Sequence, residues 1–338
     1  MTDIQLGRTG LLVHKDGFGA LPIQRRTMDE AIPILRAALA GGINFFDTAR
    51  GYTDSEEKIG RALSDKRNQF VLATKTPATT VEGFWKDLET SLGLLQTDHI
   101  DIYQFHNPES CPKPGDGTGL YEAMLAAKEQ GKIRFIGITN HRLPVAQEAV
   151  ESGLYDTLQY PFNYLSHEKE IALVRRCAEK NIGFIAMKAL SGGLITDIDA
   201  ARAWIAQFPK VVPIWGIQHL KELEALLAAV KQMPSLTEAQ RQRIEQDRAE
   251  FTGAFCRSCG YCLPCPEQIL IYNCARVSLL LRRMPPERWL TPEWQQEMEK
   301  IPNCRHCGQC SSRCPYGLDI PALLEKNYRD YRTFLKSK

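Results

Sequence analysis

No apolar run in this 338-residue chain approaches the ~20 residues that a helix needs to cross a bilayer. The first residues, Met1-Thr2-Asp3-Ile4-Gln5, lack a basic stretch followed by an apolar segment, so export is not expected and the reading is cytoplasmic, with thiols kept reduced. An excess of one charge is also missing. The 42 Lys and Arg and 40 Asp and Glu leave a net charge of +2, with no long basic run and no aromatic-basic interleaving. Neither nucleic acid nor a membrane is therefore an expected partner. No G-x-G-x-x-G occurs, so nothing suggests a Rossmann dinucleotide loop.

Cysteine, by contrast, is plentiful. Eight of the 11 cysteines lie in two motifs, Cys256-x2-Cys259-x2-Cys262-x2-Cys265-Pro266 and Cys304-x2-Cys307-x2-Cys310-x3-Cys314-Pro315. Three thiolates spaced by two residues wrap the corners of a cubane, and a fourth before proline reaches across to the other cluster. On that pattern Cys256, Cys259, Cys262 and Cys314 hold one 4Fe-4S cluster, and Cys304, Cys307, Cys310 and Cys265 a second. Paired CxxC units also build zinc sites, but three evenly spaced cysteines followed by Cys-Pro are unusual for zinc. The first motif has two residues rather than three before its fourth cysteine, which leaves Cys274 as an alternative ligand to Cys265. His306 occupies a spacer and reads as a surface histidine.

With 43% hydrophobic residues, the chain can bury one full-sized core and still supply a smaller unit. From Met1 to about Met233, short apolar runs alternate with helical patterns, the signature of βα units around a parallel sheet. Eight runs are visible: 17–23, 43–47, 70–74, 100–105, 135–139, 157–160, 183–187 and 211–216. Thr27-Met28-Asp29-Glu30 forms a capping box before a helix. Eight βα units are the count of a closed (β/α)8 TIM barrel. The expected organisation is a barrel over 1–235, a charged helical connector over 236–252, a small ferredoxin-like domain over 253–325 and a basic tail over 326–338. A Pro-rich turn is expected at Pro285-Pro286, between the two cysteine motifs.

In such a barrel, chemistry sits at the C-terminal ends of the strands. The second run ends in Asp47, with Tyr52 shortly after it; the third is followed by Lys75 and the fourth by His106. The surrounding segments Gly17-Phe18-Gly19, Asn44-Phe45-Phe46-Asp47-Thr48-Ala49, Ala73-Thr74-Lys75 and Gln104-Phe105-His106 resemble the aldo-keto reductases. With the cysteine region included, the chain looks like the branch of that family that has a C-terminal 4Fe-4S domain. The resemblance implies an NAD(P)H-dependent oxidoreductase that interconverts an aldehyde or ketone and an alcohol. It places the catalytic tetrad on Asp47, Tyr52, Lys75 and His106. Carbonyl reduction by hydride leaves an alkoxide that needs a proton. Tyr52 would supply it, with Lys75 lowering the phenol's pKa, Asp47 orienting Lys75, and His106 orienting the carbonyl oxygen.

The same resemblance implies that NADP(H) or NAD(H) lies across the barrel mouth. Thr139, Asn140 and Gln159 would hold the carboxamide. Met187, Lys188 and Leu190 follow the seventh run, where Met187 stands in place of the family's usual stacking aromatic. Gly216, Gln218 and Glu222 follow the eighth, where Glu222 stands near the position of a base that selects NADPH. A carboxylate there would repel a 2′-phosphate and accept a ribose hydroxyl. NADPH is nevertheless favoured, on the family's habit and on the nearby Lys221 and His219. The two clusters serve electron transfer or structure: they move single electrons, so a redox partner protein is expected if they take part in turnover, and otherwise the module is a structural or docking element or an oxygen-sensitive switch beside ordinary carbonyl reduction. The alternative is an electron-transfer or redox-sensing protein whose barrel is a cofactor scaffold; the intact tetrad argues against an inactive barrel.

Overall fold

The computed structural model describes residues 3–231, 235–251, 255–283 and 286–336. The expected boundary between 252 and 253, and Pro285 of the expected turn, lie outside them. The chain forms two compact units, Met1–Ala189 with Asp199–Thr237, and Leu190–Ile198 with Glu238–Lys338.

In the first unit a hairpin of β1 (Asp3–Gln5) and β2 (Leu12–His14) precedes the strands β3 (Gly17–Gly19), β4 (Phe45–Asp47), β5 (Val71–Thr76), β6 (Ile100–His106), β7 (Ile133–Thr139), β8 (Thr157–Pro161), β9 (Gly183–Met187) and β10 (Val211–Gly216). These eight strands are parallel and close in sequence order, β10 returning to pair with β3. The helices α1 (Met28–Ala40), α2 (Ser55–Leu63), α3 (Val81–Leu95), α4 (Leu120–Glu129), α5 (Leu143–Ser152), α6 (Glu168–Glu179), α7 (Ile198–Ala206) and α8 (Leu220–Ala229) follow β3 to β10 in turn. The fold is thus the (β/α)8 barrel that the eight apolar runs implied. Strands covered on both faces need no polar alternation, and every residue of β4, β5 and β8 is buried. The capping box before α1 forms as expected: Glu30 N–H donates to Thr27 Oγ1 at 3.3 Å, and Thr27 N–H to the Glu30 carboxylate at 2.9 Å.

The N-terminal hairpin was not apparent in the sequence. Its Leu6, Leu11 and Val13 join Phe45, Val71, Ile102 and Val212 in one apolar cluster. Phe45 and Val71 open their strands, so the hairpin closes the N-terminal end of the barrel and leaves the opposite end for chemistry. Each such side chain is worth about 1.5–3 kcal/mol on leaving water.

The second unit contains α9 (Glu238–Glu250), α10 (Ile271–Cys274), α11 (Val277–Arg283), α12 (Pro292–Met298), α13 (Gln309–Ser312) and α14 (Ile320–Lys336). The helix expected to be a connector, α9, belongs to this unit, and its Ile244 and Asp247 are buried. The segment expected as a basic tail is the distal part of α14. Ile320, Leu324, Asn327 and Tyr331 recur on one buried face of that helix. Asn327 accepts the backbone N–H of Ser278 at 3.0 Å and donates to Ala275 O at 3.0 Å, while the Tyr331 hydroxyl donates to Trp289 O at 2.8 Å.

Candidate active site and iron-sulfur motifs

The four expected catalytic residues converge at the C-terminal ends of β4, β5 and β6. Lys75 Nζ donates to Asp47 Oδ1 at 2.6 Å and to the Thr48 carbonyl at 2.6 Å. Both charged side chains are buried, at 1% and 2% exposure. Two amides complete the shell around Asp47: Gln104 Nε2 donates to Oδ2 at 3.2 Å and Gln159 Nε2 to Oδ1 at 3.1 Å. Gly137 makes room for this arrangement, because a Cβ there would lie 2.7 Å from Gln104 Cγ and 2.5 Å from Thr157 Oγ1. Above the pair sits Tyr52, with Lys75 Nζ 5.0 Å from its ring centroid. The His106 ring meets Tyr52 edge-on, 5.7 Å between centroids at 84°.

The electrostatics correct one expectation. Lys75 does not lower the Tyr52 phenol; burial first, and then the Asp47 carboxylate, hold it well above its usual range. The cause is geometric, since the ammonium faces the ring while its bonds go to Asp47 and Thr48. Burial likewise lowers the Lys75 pKa, opposed by Asp47. Burial, assisted by the Lys75 charge, drops His106 to about 3. At neutral pH the site therefore presents a phenol that keeps its proton beside an uncharged imidazole. Sequence reasoning missed Gln104 as a partner of Asp47, and it also missed Glu56. The latter, 1% exposed, accepts from Thr74 Oγ1 at 2.6 Å and pairs with Arg50, fixing the turn between Asp47 and Tyr52.

The expected cofactor contacts divide. Thr139 ends β7 and its Oγ1 accepts Asn107 N–H at 3.1 Å. Asn140 is fully buried, donates to Pro108 O at 2.8 Å and accepts Arg142 N–H at 2.7 Å. Gln159 gives an amide N–H to Asp47, and its Oε1 is buried and without a partner. That acceptor suits the NH2 of a nicotinamide carboxamide, so the residues present fit the cofactor. Met187 ends β9 and packs on the apolar cluster of the barrel. Lys188 has a left-handed backbone, φ 57°, and its carbonyl accepts from Asn163 Nδ2 at 2.8 Å. Leu190 belongs to the second unit. Gly216 ends β10 and is exposed. Glu222 caps α8, its Oε2 accepting the backbone N–H of Gln218 at 2.8 Å and of His219 at 3.1 Å.

In the second unit, Cys262, Cys265, Cys304, Cys307 and Cys310 line one cavity walled by Ile269, Ile271 and Leu324. Cys265 thus stands with the second motif. Cys274 is fully buried in α10, its thiol pushed up to about 12 by burial, and does not line the cavity. Cys262 is also within electrostatic reach of Cys256 and Cys259. Two contacts join the motifs in the crossed sense. Arg257, next to Cys256, stacks 4.4 Å over Tyr316, two residues past Cys314. Arg305, next to Cys304, pairs with Glu267, two residues past Cys265. Among the described residues, no three Cys, His, Asp or Glu side chains gather around a single-ion position. His306 is exposed and faces Glu325 at 3.4 Å.

Comparison with known proteins agrees with both units. Residues 17–201 match the Aldo/keto reductase family, and residues 255–319 match a 4Fe-4S dicluster domain. The L-galactose dehydrogenase of Arabidopsis thaliana is 33% identical over 220 residues, covering 58% of this chain and 69% of that protein. The aldo-keto reductase YhdN of Bacillus subtilis is 33% identical over 185 residues, covering 49% of this chain and 54% of its own length. The holo form of an aldo-keto reductase from Bacillus halodurans superposes with a TM-score of 0.64 at 24% identity, over 73% of this chain and 96% of that one, a likeness of fold. Barrel, sequence match and the paired 4Fe-4S motifs together place this chain in the aldo/keto reductase family of oxidoreductases, with an added C-terminal 4Fe-4S domain.

Proposed function

We propose that the chain reduces an aldehyde or ketone to an alcohol with NADPH or NADH, and that its second unit binds two 4Fe-4S clusters that exchange electrons with a redox partner protein. The observation behind the first part is the buried Lys75–Asp47 pair, with protonated Tyr52 above it and neutral His106 at its edge. Bound nicotinamide supplies the hydride to the carbonyl carbon. Tyr52 passes its phenolic proton to the developing alkoxide and regains one from water. Lys75, facing the ring, meets the charge left on the phenolate at that moment, and Asp47 with its two amide donors keeps Lys75 in place. His106 is uncharged, so it donates one N–H to the carbonyl oxygen without competing for the proton. Thr139, Asn140 and the free Gln159 Oε1 would hold the carboxamide.

For the clusters, the supporting observations are the shared cavity, the crossed contacts of Arg257 and Arg305, and the exposure of Cys307, which would bring one cluster to the surface within reach of a partner. The test is a steady-state assay of anaerobically prepared protein with NADPH and NADH against a panel of aldehydes, run beside Tyr52→Phe. Turnover that falls by roughly 10²-fold in the variant, with cofactor binding kept, supports the reading; undiminished turnover removes Tyr52 from the proton-donor role.

A further inference from the structure

Arg276, between α10 and α11, is 2% exposed. A buried guanidinium carries five N–H donors that need acceptors. Here Nη2 donates to Gly192 O at 2.6 Å, while Nε and Nη1 have no partner. Their surroundings identify what is missing. A Cβ added to Gly192, whose φ of +64° already favours glycine, would lie 3.1 Å from Arg276 Nη1 and 3.7 Å from Ser258 Cβ. Ser258 stands between Cys256 and Cys259, and its N–H donates to Cys256 Sγ at 3.3 Å. The unpartnered donors thus lie beside the loop of the first cysteine motif, where sulfur acceptors of a bound cluster would stand.

We propose that Arg276 is the internal counter-charge of the cluster held by Cys256, Cys259 and Cys262, donating Nε–H and Nη1–H to its sulfurs and raising its reduction potential above the value it would have without the cation. The inference rests on the two-cluster reading. Each one-electron reduction adds a negative charge to the cluster, and a fixed cation with hydrogen bonds to sulfur favours that form. Through Nη2, Arg276 also ties the same site to the segment 190–198, which directly follows Lys188 and Ala189 in the chain.

The experiment uses the full chain, reconstituted anaerobically, with iron and sulfide counted before an EPR-monitored redox titration of wild type and Arg276→Gln. Eight irons per chain and two reducible centres establish the underlying reading; zinc or an iron-free chain overturns it, and this proposal with it. Given two centres, Arg276→Gln should lower the reduced-to-oxidised ratio of one of them by tenfold or more at fixed potential, about 59 mV for one electron, and leave the other unchanged. Two unshifted centres at full iron content overturn the proposal while leaving the cluster reading intact. Should Arg276→Gln fail to fold, wild type labelled with guanidino-¹⁵N arginine decides the matter, with Arg276→Lys as its control. A nitrogen coupling to one reduced cluster that vanishes in Arg276→Lys supports the assignment, and the lack of any arginine coupling overturns it.

Discussion

Replacing Lys75 with methionine keeps the stem and removes the charge, so its cost can be worked from the contacts around Asp47. Removing one partner of a buried ion pair typically costs about 3–5 kcal/mol, because the remaining charge stays out of water. Asp47 would retain the amide donors of Gln104 and Gln159, at 3.2 and 3.1 Å, while the Thr48 carbonyl would lose its donor. The lower end, about 3 kcal/mol, is therefore expected. For a folding unit of this size that corresponds to roughly 6–12 °C in Tm. Because the cost comes from the carboxylate left buried without its cation, removing that charge as well should recover part of it. Thermal melts of Lys75→Met and of Lys75→Met with Asp47→Asn at pH 7 provide the check. Unchanged Tm in the single variant, or a deficit that Asp47→Asn does not relieve, would refute the argument.

Three further outcomes follow from the site. His106 at about 3 stays neutral through the physiological range, so the pH profile of kcat/KM should show no ionisation near 6.5 that His106→Gln removes. Because a neutral buried histidine binds fewer protons folded than unfolded, wild-type stability should also fall as pH drops below ~6.5, and this slope should be shallower in His106→Gln. Glu222→Gln keeps a hydrogen-bonding cap on α8 but removes its charge, so the fold should hold while the NADPH-to-NADH ratio of kcat/KM rises about fivefold, near ~1 kcal/mol; an unchanged ratio would place this helix end away from the adenosine ribose. Cys265→Ser should lose one cluster by iron analysis whereas Cys274→Ser keeps both, and the reverse result would exchange their roles.

The barrel was legible because a parallel strand buried on both faces appears as an unbroken apolar run. At one edge a charge hid the strand, for β7 starts at Ile133, two residues before the expected run, with Arg134 within it paired to Asp101; at another the apolar run 17–23 continues past β3, which ends at Gly19. The hairpin of three-residue strands was too short to show any period. The tetrad's positions could be read from strand ends, but its electrostatics could not. Whether Tyr52 goes up or down depends on burial and Asp47 against Lys75, and that balance is set by distances that no spacing reveals. Gln104 and Gln159 serve Asp47 from strands 57 and 112 residues away in sequence, beyond any local signal. The buried face of α14 is present in the sequence at Ile320, Leu324 and Tyr331, but the basic residues between and after these positions mask its period.

The most direct test of the central claim is to follow the label from nicotinamide deuterated at C4 during reduction of a small aldehyde by the full chain. The account predicts stoichiometric deuterium on the carbinol carbon and an alcohol proton drawn from solvent, with transfer slowed by roughly 10²-fold in Tyr52→Phe. Solvent hydrogen at the carbinol carbon, or equal transfer in Tyr52→Phe, would contradict it.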